Sequence, residues 1–232
     1  MTPVARQLTL DLRTPPALSR ADFLPAPANA EALALLDRPR DWPQGRLLLV
    51  GPEASGKSHL AAFWAAENGA QRMRASALRP EIADTLVQPD GALVIEDAHR
   101  AGGAAGAELA LFHLWNLSAE RGALLLITAR TPPRDWGLAL PDLASRMAST
   151  ALVRLDPPDE HLLTAVLVKL FADRQLSPGP GVIEALVRHM DRDLGLARRL
   201  VAEIDRDALS EGRAVTRPLA MAALGRLGAH TG

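Results

Sequence analysis

The stretch Gly51-Pro-Glu-Ala-Ser-Gly-Lys-Ser58 decides the fold, because an apolar run precedes it and a helix-forming run follows it. Residues 46–50 have the pattern of a buried strand, and residues 59–66 are good helix formers without a breaker. Gly51 and Gly56 allow successive N–H groups to turn towards an anion, and the positive end of a helix adds to that attraction. The order strand, glycine-bearing loop, helix therefore predicts a phosphate site. The alternative interpretation is an ordinary strand-to-helix turn.

The sequence of residues 51–58, called the P-loop below, predicts which side chains contact the ligand. Lys57 is expected to reach the outer phosphates of a nucleotide, and the Ser58 hydroxyl is expected to bind Mg²⁺. The predicted ligand is ADP or ATP. Its predicted contacts in this region are Gly51, Pro52, Glu53, Ala54, Ser55, Gly56, Lys57, Ser58 and His59.

The composition of the 232 residues is that of an ordinary globular protein, with 48% hydrophobic and 23% charged residues. A net charge of −1 provides no overall attraction for nucleic acid or for an anionic membrane. Without cysteine there is no disulfide, thiolate nucleophile or zinc–thiolate site. No apolar run approaches the length of a membrane span, and the first residues lack the apolar core of a signal peptide. These features predict a cytoplasmic protein without a membrane partner.

Two adjacent carboxylates follow the apolar run that begins at residue 91. Glu96 and Asp97 stand where a strand ends, downstream of the P-loop, which is a position that suits Mg²⁺ binding and the polarisation of a water. The predicted metal ligands are thus Ser58, Glu96 and Asp97, and Asp97 is a predicted catalytic residue. The alternative is that either carboxylate caps a helix or lies in a solvated turn.

The order of apolar runs and helical patterns predicts an α/β unit with five strands in a parallel sheet. After residues 156–159 only helical patterns follow. We therefore expect an arm at 1–20, an α/β nucleotide-binding domain at 21–155 and an all-helical domain at 156–232. Within the α/β domain, residues 107–120 predict a helix whose buried face is Leu109, Phe112, Trp115 and Leu117. Asn29 is a good N-cap for a helix through residues 31–36.

The arm contains Gln7-Leu-Thr-Leu-Asp-Leu12. Leu8, Leu10 and Leu12 alternate with polar residues, so an extended chain presents all three on one face. One interpretation is an edge strand of the domain. The other is a short motif that docks in the apolar groove of a partner, with Gln7 as its hydrogen-bonding residue.

Three further stretches resemble the AAA+ ATPases, and among them the DnaA relatives. Leu140-Pro-Asp-Leu-Ala-Ser-Arg-Met147 resembles the segment that carries the arginine finger, which places that role on Arg146. Gly195-Leu-Ala-Arg-Arg-Leu200 resembles the lid helix with the second sensor arginine, which places it on Arg198. Residues 23–29 resemble the segment on the adenine side, with Asn29 contacting the base. The resemblance implies a P-loop AAA+ core followed by a helical lid.

Two features of the chain point to one branch of these relatives. DnaA itself carries a helix-turn-helix DNA-binding domain after the lid, for which this sequence leaves no room. Residues 7–12 are similar to the hexapeptide by which replication proteins bind the DNA polymerase sliding clamp. Together these features resemble the Hda family of regulatory inactivators of DnaA. The resemblance implies the sliding clamp and DnaA as partners, no sequence-specific DNA binding, and Arg146 acting in trans on ATP bound to DnaA.

Two departures from the family pattern concern ATP hydrolysis by this chain itself. The clade usually has Asp-Asp or Asp-Asn where this chain has Glu96 and Asp97. The first sensor position, usually Asp, falls on Arg130, with Thr128 as the nearby polar group. We expect weak intrinsic hydrolysis at most; the alternative is a self-contained AAA+ ATPase such as a helicase-loader-like motor. An arginine finger also implies a head-to-tail contact, with DnaA or with another copy of this chain.

Overall fold

The computed structural model describes residues 18–211 and 213–228. The predicted docking motif, Gln7 to Leu12, lies outside the described residues. Its two interpretations therefore both remain predictions.

The five predicted strands form one sheet, and every neighbouring pair is parallel. Its strand order is β2-β3-β4-β1-β5, so β1 lies between β4 and β5. The strands are β1 (Arg46–Val50), β2 (Gln71–Arg74), β3 (Ala92–Glu96), β4 (Leu124–Ala129) and β5 (Leu152–Arg154). The predicted α/β fold class with a five-stranded parallel sheet is confirmed.

Helices connect the strands and then continue alone after β5. The helices before and between the strands are α1 (Ala30–Leu36), α2 (Lys57–Glu67), α3 (Ala83–Leu86), α4 (Ala105–Glu120) and α5 (Pro141–Ser149). The helices after β5, called the helical region below, are α6 (Glu160–Asp173), α7 (Val182–His189), α8 (Leu194–Glu211) and α9 (Arg217–Gly228). The helical part of the predicted fold class is thus also present.

Each face of the sheet has its own apolar core, because successive side chains of a strand point to opposite faces. In β1, Leu48 and Val50 pack into the core that contains α4, whereas Leu47 and Leu49 pack into the core that contains α2. The helical region has a third core, in which Phe171 is almost fully buried. Because β1 is buried on both faces of the sheet, it is a continuous apolar run rather than an alternating one.

The buried face predicted for α4 is correct for Trp115 and wrong for Leu109. Leu109 is 42% exposed, and Phe112 and Leu117 are only partly buried; Trp115 alone of the predicted four is buried. The residues that face the sheet are Ala107, Ala110, Leu111, Leu114, Trp115 and Ser118, with the spacing of one helix face. The prediction followed the largest side chains, whereas the observed face includes alanines.

None of the helices within residues 18–211 and 213–228 combines the length and the apolar character that crossing a membrane requires.

Candidate functional site

The candidate site lies at the carboxyl edge of the sheet, where parallel strands bring the residues that follow them together. Val50, the last residue of β1, is in register with Ala129, the last residue of β4. The N–H of Gly51 then donates to the carbonyl of Ala129 at 3.2 Å. The P-loop, Asp97 after β3 and Arg130 after β4 therefore share one edge of the sheet.

Two glycines are required by the shape of the P-loop. A Cβ on Gly51 would lie 2.6 Å from the Leu155 carbonyl oxygen and 2.8 Å from Ser55 Oγ, so no side chain fits there. Gly56 has φ of +100° and directly precedes α2, a conformation that residues with a Cβ avoid. The loop consequently passes tightly into the N-terminus of α2, as the phosphate-site prediction requires.

The Lys57 ammonium is held inside the P-loop. It donates to the carbonyl oxygens of Gly51 at 2.7 Å and Pro52 at 2.5 Å, and its side chain is buried. Burial lowers the pKa of Lys57 below its usual value; the charge of Asp97 opposes this shift, and that of Arg130 adds to it. A buried cation with only neutral acceptors is poised to bind an anion.

A cavity of about 630 Å³ lies between the P-loop, the segment 18–29 and helices α6 and α8. This volume is within the range of small-molecule and cofactor sites. Seven of the predicted nucleotide contacts line it: Asn29, Ala54, Gly56, Lys57, Ser58, His59 and Arg198. Apolar side chains, including Phe23, Leu162 and Val166, line it as well. The cavity thus has a cationic end at the P-loop and an apolar component that suits an aromatic base.

Asn29 lines this cavity but does not have the predicted capping role. It is the N-cap residue of α1, yet its side chain makes no capping hydrogen bond. Instead its Oδ1 accepts from the N–H of Ala26 at 2.9 Å, and its Nδ2 donates to the Leu24 carbonyl at 3.0 Å. The buried amide therefore closes the turn that forms one wall of the cavity.

Arg198 approaches the P-loop from the helical region. Its Nη2 donates to Nδ1 of His59, and the opposite ring nitrogen, Nε2, lies 2.8 Å from the Ser19 carbonyl. The same N-terminal segment contacts α6, where Lys169 forms an ion pair with Asp22 at 3.1 Å. His59 is therefore a junction between α2, the segment before α1 and α8, a role that the P-loop pattern alone does not predict.

The two predicted carboxylates have different surroundings. Glu96 accepts from Nη2 of Arg72 on β2 at 2.7 Å, so its carboxylate is already paired. Asp97 has φ of +56°, and its N–H donates to Thr128 Oγ1 at 3.2 Å. Within the described residues, no group of three or more His, Asp or Glu side chains is arranged to hold a metal ion. Mg²⁺ in nucleotide sites takes only one or two carboxylates together with phosphate oxygens, so the predicted ligand set stays a prediction.

Arg130 extends over the start of the P-loop. Its Nη1 lies 2.9 Å from Oε2 of Glu53, and its N–H donates to Nδ1 of His99 at 3.4 Å. Burial lowers the pKa of His99, and the neighbouring cations Arg130, Arg100 and Lys57 lower it further against the charge of Asp97. The phosphate edge of the site is therefore rich in basic groups.

Arg146 is on α5 and does not line the cavity. Its guanidinium carbon lies 4.5 Å from the centre of the Trp115 ring and 5.0 Å from that of Phe112. The buried guanidinium of Arg46 also stacks on Trp115, at 3.5 Å, and donates to the Trp115 carbonyl at 2.8 Å. Arg146 is thus held beside α4 by cation–π contacts, away from the chain's own P-loop.

Glu108 is a positioning residue that the sequence analysis missed. It is only 2% exposed, and its carboxylate accepts from the N–H groups of Gly103 at 2.9 Å, Ala139 at 3.0 Å and Leu140 at 2.8 Å. Burial raises the pKa of Glu108, but the three backbone donors outweigh it and lower the pKa below its usual value. The carboxylate fixes the start of α5, which carries Arg146. An acidic residue flanked by apolar residues in the first turn of the helix was the available signal.

No protein-family model matches the sequence. Among solved structures, the chain is similar to domain III of the Thermotoga maritima replication initiation protein DnaA, with a TM-score of 0.76, 20% identity and coverage of 91% of this chain and 97% of that one. It is also similar to a replication initiator DnaA bound to AMPPCP and single-stranded DNA (TM-score 0.69, 14% identity, 85% and 69% covered). A third similar structure is the FIGL-1 AAA domain in complex with ADP (TM-score 0.66, 16% identity, 88% and 82% covered). These likenesses show a DnaA-like AAA+ fold.

Proposed function

We propose that this chain is a nucleotide-binding regulator of chromosome replication initiation, of the Hda type. In this proposal it binds ADP or ATP with Mg²⁺, binds the DNA-loaded sliding clamp, and promotes hydrolysis of the ATP held by DnaA. It acts in the cytoplasm and without sequence-specific DNA binding of its own.

The cavity between the P-loop and the helical region carries the nucleotide part of the proposal. Lys57 at the start of α2 and Arg198 on α8 both line it, and its volume of about 630 Å³ suits a nucleotide. The N-terminus of α2 and the turn at Gly56 supply backbone donors for phosphates. The base would lie among the apolar side chains and beside Asn29.

The position of Arg146 supports the proposal that it acts on another protein's ATP. Its side chain is held by Phe112 and Trp115 and does not line the chain's own cavity. A guanidinium inserted in trans stabilises the charge that develops on the γ-phosphate and accelerates hydrolysis by about 10³–10⁵-fold. A partner with a DnaA-type nucleotide site is the natural recipient, because the two folds are alike.

Hydrolysis of the chain's own nucleotide is proposed to be weak. Mg²⁺, when bound with nucleotide, would neutralise phosphate charge; Ser58 and Asp97 are the residues that would hold it. Glu96 is tied to Arg72 and would have to leave that ion pair to take part. Arg130 occupies the position where relatives carry a sensor carboxylate. The bound nucleotide then serves mainly to fix the helical region against the P-loop.

The decisive experiment measures hydrolysis of DnaA-bound ATP with and without this protein and DNA-loaded clamp. We expect stimulation that requires all three components and is lost in Arg146→Ala. Arg134→Ala, which removes an exposed arginine from the preceding loop, is the matched control and should stimulate normally. Stimulation by Arg146→Ala equal to that of the unaltered protein would contradict the arginine-finger role. Robust ATP turnover by the purified protein alone would favour a self-contained ATPase instead.

A further inference from the structure

Arg46, the first residue of β1, is a buried cation without a counter-charge. It is only 1% exposed, and its guanidinium donates to three neutral acceptors: Ser118 Oγ at 3.2 Å, Gln44 Oε1 at 2.6 Å and the Trp115 carbonyl at 2.8 Å. No carboxylate in the part of the chain that the structure describes forms an ion pair with it. An apolar side chain of similar volume often serves stability as well as a buried charge does. Stability therefore does not account for a cation at this position.

Arg146 shares the ring of Trp115 with this buried cation. The guanidinium carbon of Arg46 lies 3.5 Å from the centre of the ring, and that of Arg146 lies 4.5 Å from it. Burial, and then the charge of Arg146, lower the pKa of Arg46 because like charges repel each other. Arg46 is fixed by its hydrogen bonds, whereas the guanidinium of Arg146 has no hydrogen bond or ion pair among the described residues. Of the two side chains, Arg146 is thus the one that can move.

The N–H donors of Arg146 are available for an anion from outside the chain. Repulsion by Arg46 raises the free energy of the Arg146 guanidinium in its place on the ring, so turning towards an anion costs less. A phosphate bound to Arg146 is also attracted by Arg46, since charges interact more strongly near a protein interior than in water. The buried charge therefore favours the state in which Arg146 binds a phosphate.

We propose that Arg46 is a positioning residue for Arg146: its charge, acting beside the shared Trp115 ring, prepares the Arg146 guanidinium for the terminal phosphate of a nucleotide held by another protein. Arg46 is buried and acts through Arg146 rather than on the phosphate itself. Trp115 holds both guanidiniums and so fixes the distance over which one charge acts on the other. This inference rests on the proposed function and deepens it. What matters at position 46 is then the charge rather than the shape of the side chain.

The first measurement is single-turnover hydrolysis of DnaA-bound ATP at increasing concentrations of this protein, with DNA-loaded clamp present. Arg46→Met removes the charge but keeps a long side chain. It should lower the maximum rate by about tenfold and leave the half-saturating concentration unchanged, because docking is not affected. Arg46→Lys keeps the charge and should retain most of the stimulation. The control Arg40→Met removes an exposed arginine from the segment before β1 and should change neither quantity.

The second measurement does not involve DnaA. In a proton–nitrogen NMR spectrum, the Nε–Hε signal of Arg146, assigned by its loss in Arg146→Ala, reports through the ring current how close the guanidinium lies to Trp115. Without the repulsion, the guanidinium should settle on the ring, so the Hε signal should move upfield in Arg46→Met. In Arg46→Lys and Arg40→Met it should stay close to its position in the unaltered protein.

The two measurements separate this inference from the proposal on which it rests. If the unaltered protein does not stimulate hydrolysis, the proposed function is overturned, and the NMR signal alone decides whether the two arginines are coupled. Normal stimulation by Arg46→Met, or an Hε signal that does not move, would overturn the positioning role while the proposed function stands. Melting temperatures of Arg46→Met and Arg46→Lys should not fall. Lost stimulation together with lower melting temperatures in both variants would show that Arg46 acts on packing alone, which also overturns the inference.

Discussion

Nη2 of Arg198 on α8 donates a 2.6 Å hydrogen bond to Nδ1 of His59 on α2. Because Nδ1 accepts, the ring proton is on Nε2, which donates to the Ser19 carbonyl at 2.8 Å. Both ring nitrogens are therefore used by a neutral imidazole. Phe23 packs edge-on against the ring, with 5.2 Å between the centroids.

This junction predicts a loss of stability in mild acid. Burial lowers the pKa of His59 below its usual 6.5; Arg198 and Lys169 add to that shift, while the Ser19 carbonyl and Asp22 oppose it. The unfolded chain takes up a proton at His59 as the pH falls below about 6.5, whereas the folded chain does so only at lower pH. The free energy of unfolding should therefore fall with decreasing pH, by at most about 1.4 kcal/mol per pH unit for this one group.

The measurement is denaturant unfolding of the unaltered protein and of His59→Gln between about pH 7.5 and pH 5.5. Glutamine offers a neutral donor and acceptor but does not titrate, so the stability of the His59→Gln variant should depend less on pH. His161, an exposed histidine on α6, supplies the control His161→Gln, which should keep the full pH dependence. Identical pH profiles for His59→Gln and the unaltered protein would contradict the assignment.

The sequence predicts those parts of the site that depend on neighbours along the chain. The P-loop, the strand before it and the helix after it are contiguous, so apolar runs and glycines are sufficient to place them. The His59–Arg198 bond joins residues 139 positions apart, and the stacking of Arg46 and Arg146 on Trp115 requires the packed sheet and helices. Local periodicity contains no information on such contacts.

The exposed position of Leu109 has a similar explanation. Periodicity fixes the spacing of a buried face but leaves open which face of the helix is buried. The prediction chose the face with the larger side chains, including Leu109 and Phe112. In the structure α4 turns alanines and Leu111 towards the sheet, and the carboxylate of Glu108 anchors the loop before α5. Only tertiary contacts decide between the two faces.

Glu108→Gln should destabilise the protein and loosen α5. The glutamine amide has one acceptor oxygen for the three backbone N–H groups that the carboxylate binds. Its NH₂ group is itself a donor and cannot accept from any of them. We expect a loss of about 2–3 kcal/mol in the free energy of unfolding at neutral pH, since hydrogen bonds to a buried charge are lost. Glu120→Gln, at the exposed end of the same helix, is the control and should be nearly neutral.

The pH dependence provides a second observable for Glu108. Its pKa is lowered in the folded state, so its contribution is complete above its usual pKa of 4.5 and declines as the pH falls through the folded value. The difference in stability between the unaltered protein and Glu108→Gln should therefore shrink in acid. A difference that is constant down to strongly acidic pH would show that the carboxylate charge is not what stabilises the α5 loop.

Gly51→Ala should damage the P-loop rather than the sheet as a whole. The added Cβ would meet the Leu155 carbonyl at 2.6 Å, and that backbone is fixed because Leu155 N–H donates to Val50 at 2.7 Å. Relief of the clash requires the loop to shift, at a cost of about 1–3 kcal/mol. ADP affinity by calorimetry should fall together with the melting temperature. The control is Gly106→Ala, in α4 with open space around the added Cβ, which should be neutral or slightly stabilising. Unchanged ADP binding in Gly51→Ala would contradict the loop geometry.

The arm provides a prediction that rests on sequence pattern alone. In an extended chain Leu8, Leu10 and Leu12 share one face, and Thr9 and Asp11 share the other. If residues 7–12 dock on the sliding clamp, replacing Gln7 and Leu8 by alanine should abolish binding of the full-length protein to clamp in surface-plasmon measurements. The double variant Thr9→Ala, Asp11→Ala changes the opposite face and should still bind.

The melting temperature should stay the same in both variants, because a docking motif does not belong to the core, whereas an edge strand packed on the domain does. A drop in melting temperature with clamp binding retained would establish the edge-strand interpretation instead, because loss of packed leucine side chains lowers the free energy of unfolding.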